Sequence, residues 1–80
     1  MKISIMNYYN EYKEELSEIG QVLKDYRKYS YISRCEVEQK YGISRSLVER
    51  AEKGENITLL TLLRLCDAIE VDPKNIFEEI

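Results

Sequence analysis

Arg45, Ser46, Glu49 and Arg50 share the outward side of a short amphipathic stretch whose inward side is Val48 and Ala51. An arginine forks onto the O6 and N7 acceptors of guanine, and a serine hydroxyl bonds to any base edge. Such a face is useful only if the backbone delivers it at a fixed angle, so the flanking residues matter as much as the arginines. Ser33 followed by Glu36 is a capping box that opens a first short helix. Gly42, in Tyr41-Gly42-Ile43, closes it, because so tight a turn requires a residue tolerant of positive φ. Ser44 then caps the helix that carries Arg45 and Arg50. A capped helix, a glycine turn and a second helix with an arginine-rich start are what reading a DNA major groove requires.

Charge is consistent with that use only when read locally. The 80-residue chain has a net charge of −3, whereas nucleic-acid-binding domains are commonly basic. Between Gly20 and Cys66, however, nine Lys/Arg face six Asp/Glu, while the first nineteen residues sum to −2 and the last fourteen to −4. The positive charge lies where the two-helix motif lies. The chain has no histidine, and neither Cys35 nor Cys66 has a base beside it or a C-x-x-C spacing. No catalytic residue, metal site or cofactor is expected, and both cysteines read as packing thiols. No apolar run is long enough to span a membrane and no signal-peptide core is present, which reads as a cytosolic protein.

The elements that position the arginines follow from periodicity. Tyr9, Tyr12, Leu16, Ile19, Leu23 and Tyr26 recur at alternating intervals of three and four, predicting one long helix from about Asn7 to Tyr29 despite Gly20 within it. Only Lys2-Ile3-Ser4-Ile5 alternates as a strand would. The second helix spans about Ser33 to Lys40 and the third Ser44 to Lys53, ended by Gly54. Thr58 caps a fourth, with Leu59, Leu62, Leu63, Cys66 and Ile69 expected inward. Asp72-Pro73, a cap followed by proline at the first helical position, opens a fifth through Ile76 and Phe77. The reading is an all-α single domain over 1–80, with residues 1–18 as an extension of the first helix and 19–77 as the core.

The five-helix order and the runs Ile19–Arg27, Ile32–Ser44, Ala51–Gly54 and Asn56–Val71 resemble the Cro/C1-type helix-turn-helix family, the lambda-repressor-like regulators of bacteria and their mobile elements. Asn56-Ile57-Thr58-Leu59 and the Ile76-Phe77 ending are similar to the controller proteins of restriction-modification systems. The resemblance implies a sequence-specific regulator, a repressor acting as a homodimer on double-stranded DNA. It places Arg45, Ser46, Leu47 and Arg50 on base-reading positions, Leu47 as a thymine-methyl contact. Ser33, Arg34, Ser44, Lys53, Asn56 and Thr58 fall on phosphate-contact positions. Arg27 and Glu52 match an internal salt bridge. Leu60, Ile76, Phe77 and Ile80 are the expected dimer surface, since an 80-residue monomer buries only a limited share of its apolar side chains.

Three positions depart from the family pattern. Glu38 stands where a small residue is usual and needs a partner, for which Arg45 and Arg50 are the candidates. Ala51 replaces a larger aliphatic, making space for Glu38. Glu70 replaces a common glycine and weakens the end of the fourth helix. The tyrosines leave two readings open: Tyr9, Tyr12 and Leu16 either pack on the fifth helix or form a surface for a protein partner. That second reading belongs to a different class of function, a protein-binding module such as an antitoxin or a phage-encoded inhibitor. A continuous basic face favours DNA, whereas Glu38 or Glu49 neutralising Arg45 and Arg50 favours the protein partner.

Overall fold

The structure, a computed structural model, describes residues 5–80. Its six helices are α1 (Ile5–Glu11), α2 (Lys13–Tyr29), α3 (Arg34–Tyr41), α4 (Arg45–Glu52), α5 (Leu59–Ala68) and α6 (Pro73–Glu78), and among the described residues there is no strand. Of the alternating Lys2–Ile5 stretch, the first three residues lie outside the described part. The expected long first helix is divided at Tyr12, with φ −107° and ψ 13°. Its amide is shared between the carbonyls of Tyr8 and Tyr9 at 3.3 and 3.2 Å, the bifurcated bond of a helix that is ending. The ladder resumes at once, Leu16 N–H donating to the Tyr12 carbonyl at 3.0 Å. Five expected helices become six for the sake of one residue.

The helix starts follow the sequence closely. Ser33 and Glu36 form both bonds of the capping box. Ser44 accepts from Leu47 N–H, Thr58 from Thr61 N–H and Asp72 from Lys74 N–H. The helix ends are more varied. Gly42 is left-handed at φ +70°. Gly54, at φ +87°, closes α4 with paired bonds, its own N–H to the Ala51 carbonyl and Glu55 N–H to that of Arg50. The same paired closure ends α2 and α5, but there the left-handed residue is Tyr31 or Glu70, each at φ +57°. Glu70 thus completes the terminator it was expected to weaken, in a conformation that a Cβ makes costly.

The core is formed by Leu23, Val37, Ile43, Val48, Ala51, Leu62, Leu65, Cys66, Ala68, Ile69 and Ile76, with Ile19, Val22, Tyr26, Leu47 and Val71 among those packed at its margin. Val48 and Ala51 point inward as expected. Leu59 and Leu63 do not: they are exposed, and the buried seam of α5 runs through Leu62, Leu65 and Cys66 instead. Burial pushes the Cys66 thiol above its ordinary pKa, with the charge of Asp72 adding to the effect, as suits a packing thiol. Cys35, read the same way, is instead exposed.

Gly20 is buried where α2 crosses the end of α4. A Cβ there would stand 2.6 Å from the Ala51 carbonyl oxygen and 2.7 Å from that of Glu52, and one on Gly54 would stand 2.6 Å from Ser17 Cα. Two glycines on facing segments thus allow the α2 backbone to touch the α4 terminus. No helix among the described residues is long and apolar enough to cross a membrane.

Candidate nucleic-acid interface

The angle between α3 and α4 is held by one carboxylate. Glu52, at the last turn of α4, is 4% exposed in its side chain and accepts from two arginines. Arg27 on α2 donates through Nε to Oε2 at 2.6 Å and through Nη2 to Oε1 at 3.2 Å. Its remaining nitrogen, Nη1, donates to the Ile32 carbonyl at 3.0 Å, just before α3. Arg34, at the start of α3, donates to Oε1 through Nε at 3.1 Å and Nη2 at 2.9 Å. Planar guanidinium forks suit this sharing, because each presents several donors in fixed directions. One buried acceptor therefore ties α2, the α3 entrance and α4 into a single rigid corner.

From that corner α4 presents its outer side. Arg45, Ser46 and Arg50 are exposed, while Leu47 is half-buried against the core margin. Glu49 is paired with Lys53 at 3.3 Å, and the lysine ammonium remains largely in solvent. Glu38 takes neither arginine as a side-chain partner. Its Oε2 accepts from the backbone N–H of Arg45 at 2.8 Å, a bond across the turn that fixes the first residue of α4. The Arg45 guanidinium instead donates to Cys35 Sγ at 3.2 Å. Among the described residues no carboxylate lies within pairing distance of the Arg45 or Arg50 guanidinium.

The residues expected at phosphates differ in readiness. The Ser33 and Ser44 hydroxyls are exposed, and each accepts a helix-start amide. Thr58 Oγ1 both accepts from Thr61 N–H and donates to Thr61 Oγ1. Lys53 and Asn56 are exposed. Arg34 is the exception, held on Glu52 with a side chain only one-third exposed. A second tie was not legible in the sequence: Arg64 of α5 donates to the carbonyls of Tyr41 and Gly42 at 3.3 and 3.4 Å, reaching the end of α3. Nothing in the spacing of Arg64 relative to Gly42 marks the pair.

Away from this corner the apolar surface is uneven. Phe77, Ile80, Leu59, Leu60 and Leu63 are all exposed. Ile76, expected on the same surface, is wholly buried, because α6 turns it toward the core and leaves Phe77 outside. Tyr8, Tyr9, Tyr12 and Leu16 line an open groove with Asn56, and Leu16 also shares a groove with Phe77. Tyr26 donates from its hydroxyl to Glu79 at 3.2 Å. Its pKa is raised, chiefly by desolvation and then by the Glu79 charge.

A sequence model of the Cro/C1-type HTH DNA-binding domain matches residues 21–80. The chain belongs to that family. The match begins inside α2 and includes the whole α3–α4 corner, leaving α1 and the first turns of α2 outside it. Among solved structures the chain is similar to the restriction-modification controller protein C.AhdI from Aeromonas hydrophila. The TM-score is 0.73 at 29% identity, covering 80% of this chain and 98% of that one. No curated protein sequence matches the chain. The Cro/C1-type membership makes α3–α4 the helix-turn-helix of a DNA-binding domain.

Proposed function

We propose that this Cro/C1-type protein is a sequence-specific transcriptional regulator that represses by binding a two-fold operator as a homodimer. Each α4 enters a major groove, with half-sites about one helical turn apart, ~34 Å. The observation that carries this reading is the α4 surface: Arg45 and Arg50 are exposed and, among the described residues, paired with no carboxylate, on a helix whose orientation Glu52 holds. Neutralisation of those arginines by Glu38 or Glu49 would favour a protein-binding module of the same fold. Glu38 accepts from a backbone amide and Glu49 pairs with Lys53, and neither lies within pairing distance of those guanidinium groups.

In this reading Arg45 and Arg50 contact base edges, with Ser46 beside them and the exposed part of Leu47 against a thymine methyl. Lys53, Asn56, Ser33, Ser44 and the start of α5 at Thr58 meet phosphates. Arg34 contributes mainly by holding the corner. Leu60, Phe77 and Ile80, joined by Leu59 and Leu63, form the dimer surface, and the likeness to a restriction-modification controller protein supports a regulatory role. The α1 tyrosines remain available to a further protein partner.

A gel-shift series tests the assignment on a duplex selected by the protein and on a scrambled one. Arg45→Ala and Arg50→Ala should each cost ~1–3 kcal/mol on the selected duplex alone. Lys53→Ala should weaken both duplexes alike and reduce the salt dependence by about one charge. Equal losses on both duplexes for all three variants would overturn the base-reading role of α4.

A further inference from the structure

Glu38, on α3, reaches the start of α4 with its carboxylate, and half of that carboxylate is unused. Oε2 accepts from Arg45 N–H, but Oε1 has no hydrogen-bond partner among the described residues, and the side chain is exposed. Among the described residues no cation pairs with it, and the neighbouring Arg45 guanidinium is directed to Cys35. The Arg45 N–H bond anchors the carboxylate to the first residue of α4, the part of a helix-turn-helix that meets base edges. Its position is thus set by the reading helix and not by the flexibility of its own side chain.

An ionised carboxylate can only accept hydrogen bonds. In the major groove the donors are the amino groups of cytosine N4 and adenine N6, whereas guanine O6 and thymine O4 are acceptors that repel it. We propose that Glu38 is a specificity-determining residue. It admits an amino-bearing base, cytosine or adenine, at one position beside the base read by Arg45, and rejects guanine and thymine there. The proposal rests on the DNA-binding reading of α4 and adds a reader contributed by α3. It also gives the departure from a small residue at this position a use: the carboxylate caps the reading helix with one oxygen and reads with the other.

Selection from a randomised duplex library, with the wild type and Glu38→Gln side by side, tests this. Glutamine keeps an acceptor for Arg45 N–H but can donate as well as accept, so it distinguishes reading from capping. The wild type should enrich sites with one position per half-site restricted to cytosine or adenine. Placing guanine or thymine there should cost about tenfold in affinity, the lower part of the range for a base-edge contact. Glu38→Gln should lose that restriction while the rest of the selected sequence stays the same, and Glu38→Ala should lose it too. A residue that merely capped α4 would change affinity for all sequences and leave the selected pattern intact. An unchanged pattern with Glu38→Gln would therefore overturn the proposal alone. A wild type that enriches no sequence would overturn the DNA reading and this proposal with it.

Discussion

At the α3–α4 corner, polar groups are buried and answered: Glu52 is nearly inaccessible and takes four hydrogen bonds from Arg27 and Arg34. At the α5–α6 end the reverse holds, with Leu59, Leu60, Leu63, Phe77 and Ile80 standing in solvent. The chain satisfies the polar groups of the first region within itself and leaves the apolar side chains of the second exposed. A surface that must meet DNA at a fixed angle gains from internal rigidity, and directional forks onto one carboxylate supply it. The proposed dimer surface would need such apolar area held back from the chain's own core.

The largest effect on the corner is expected at Glu52. Glu52→Ala strands two arginines, one of them buried, and should cost ~3–5 kcal/mol in denaturant unfolding. Arg27→Ala should cost less, because Arg34 still pairs with the carboxylate, and Arg34→Ala least, about 1 kcal/mol or below for a partly exposed partner. Equal costs for all three would show that Glu52 is not the shared acceptor. At the other end, neighbouring residues of α6 should behave as opposites. Ile76→Ala, which empties a fully buried site, should lose ~2–5 kcal/mol of stability. Phe77→Asp should leave unfolding nearly unchanged yet shift sedimentation from dimer to monomer. A wild type that sediments as a monomer at high micromolar concentration would remove the dimer surface. The smallest effect is expected at the helix ends: Glu70→Gly should raise stability by up to about 1 kcal/mol, relief of left-handed strain offset by glycine's extra chain entropy. A lowered thermal midpoint would contradict that.

What could be read from the sequence was local. Ser33, Ser44, Thr58 and Asp72 declare their helix starts because a cap acts within three residues of itself. Gly42 and Gly54 declare ends for the same reason. The Arg27–Glu52 pairing was legible through family resemblance, as no rule of spacing links residues that far apart. The third member, Arg34, was assigned to phosphate because only the fold brings the α3 entrance against the end of α4. Leu59 and Leu63 were placed inward because a leucine-rich helix offers several seams, and the turn of α5 on the core decides among them. Ile76 and Phe77 show the same limit at one-residue resolution. The break at Tyr12 interrupts no apolar spacing, so periodicity runs straight through it. Glu38 announced itself as a group needing a partner, and the partner turned out to be a backbone amide that no side-chain inventory would offer.

In the proposed complex two copies of α4 read DNA together from a rigid corner. Hydroxyl-radical footprinting of the wild type on a duplex it has itself selected tests this directly. Two symmetric protected zones are expected, their centres one helical turn apart, ~34 Å, with both zones lost together in Phe77→Asp at matched concentration. A single asymmetric zone, or two zones that persist unchanged in Phe77→Asp, would contradict it.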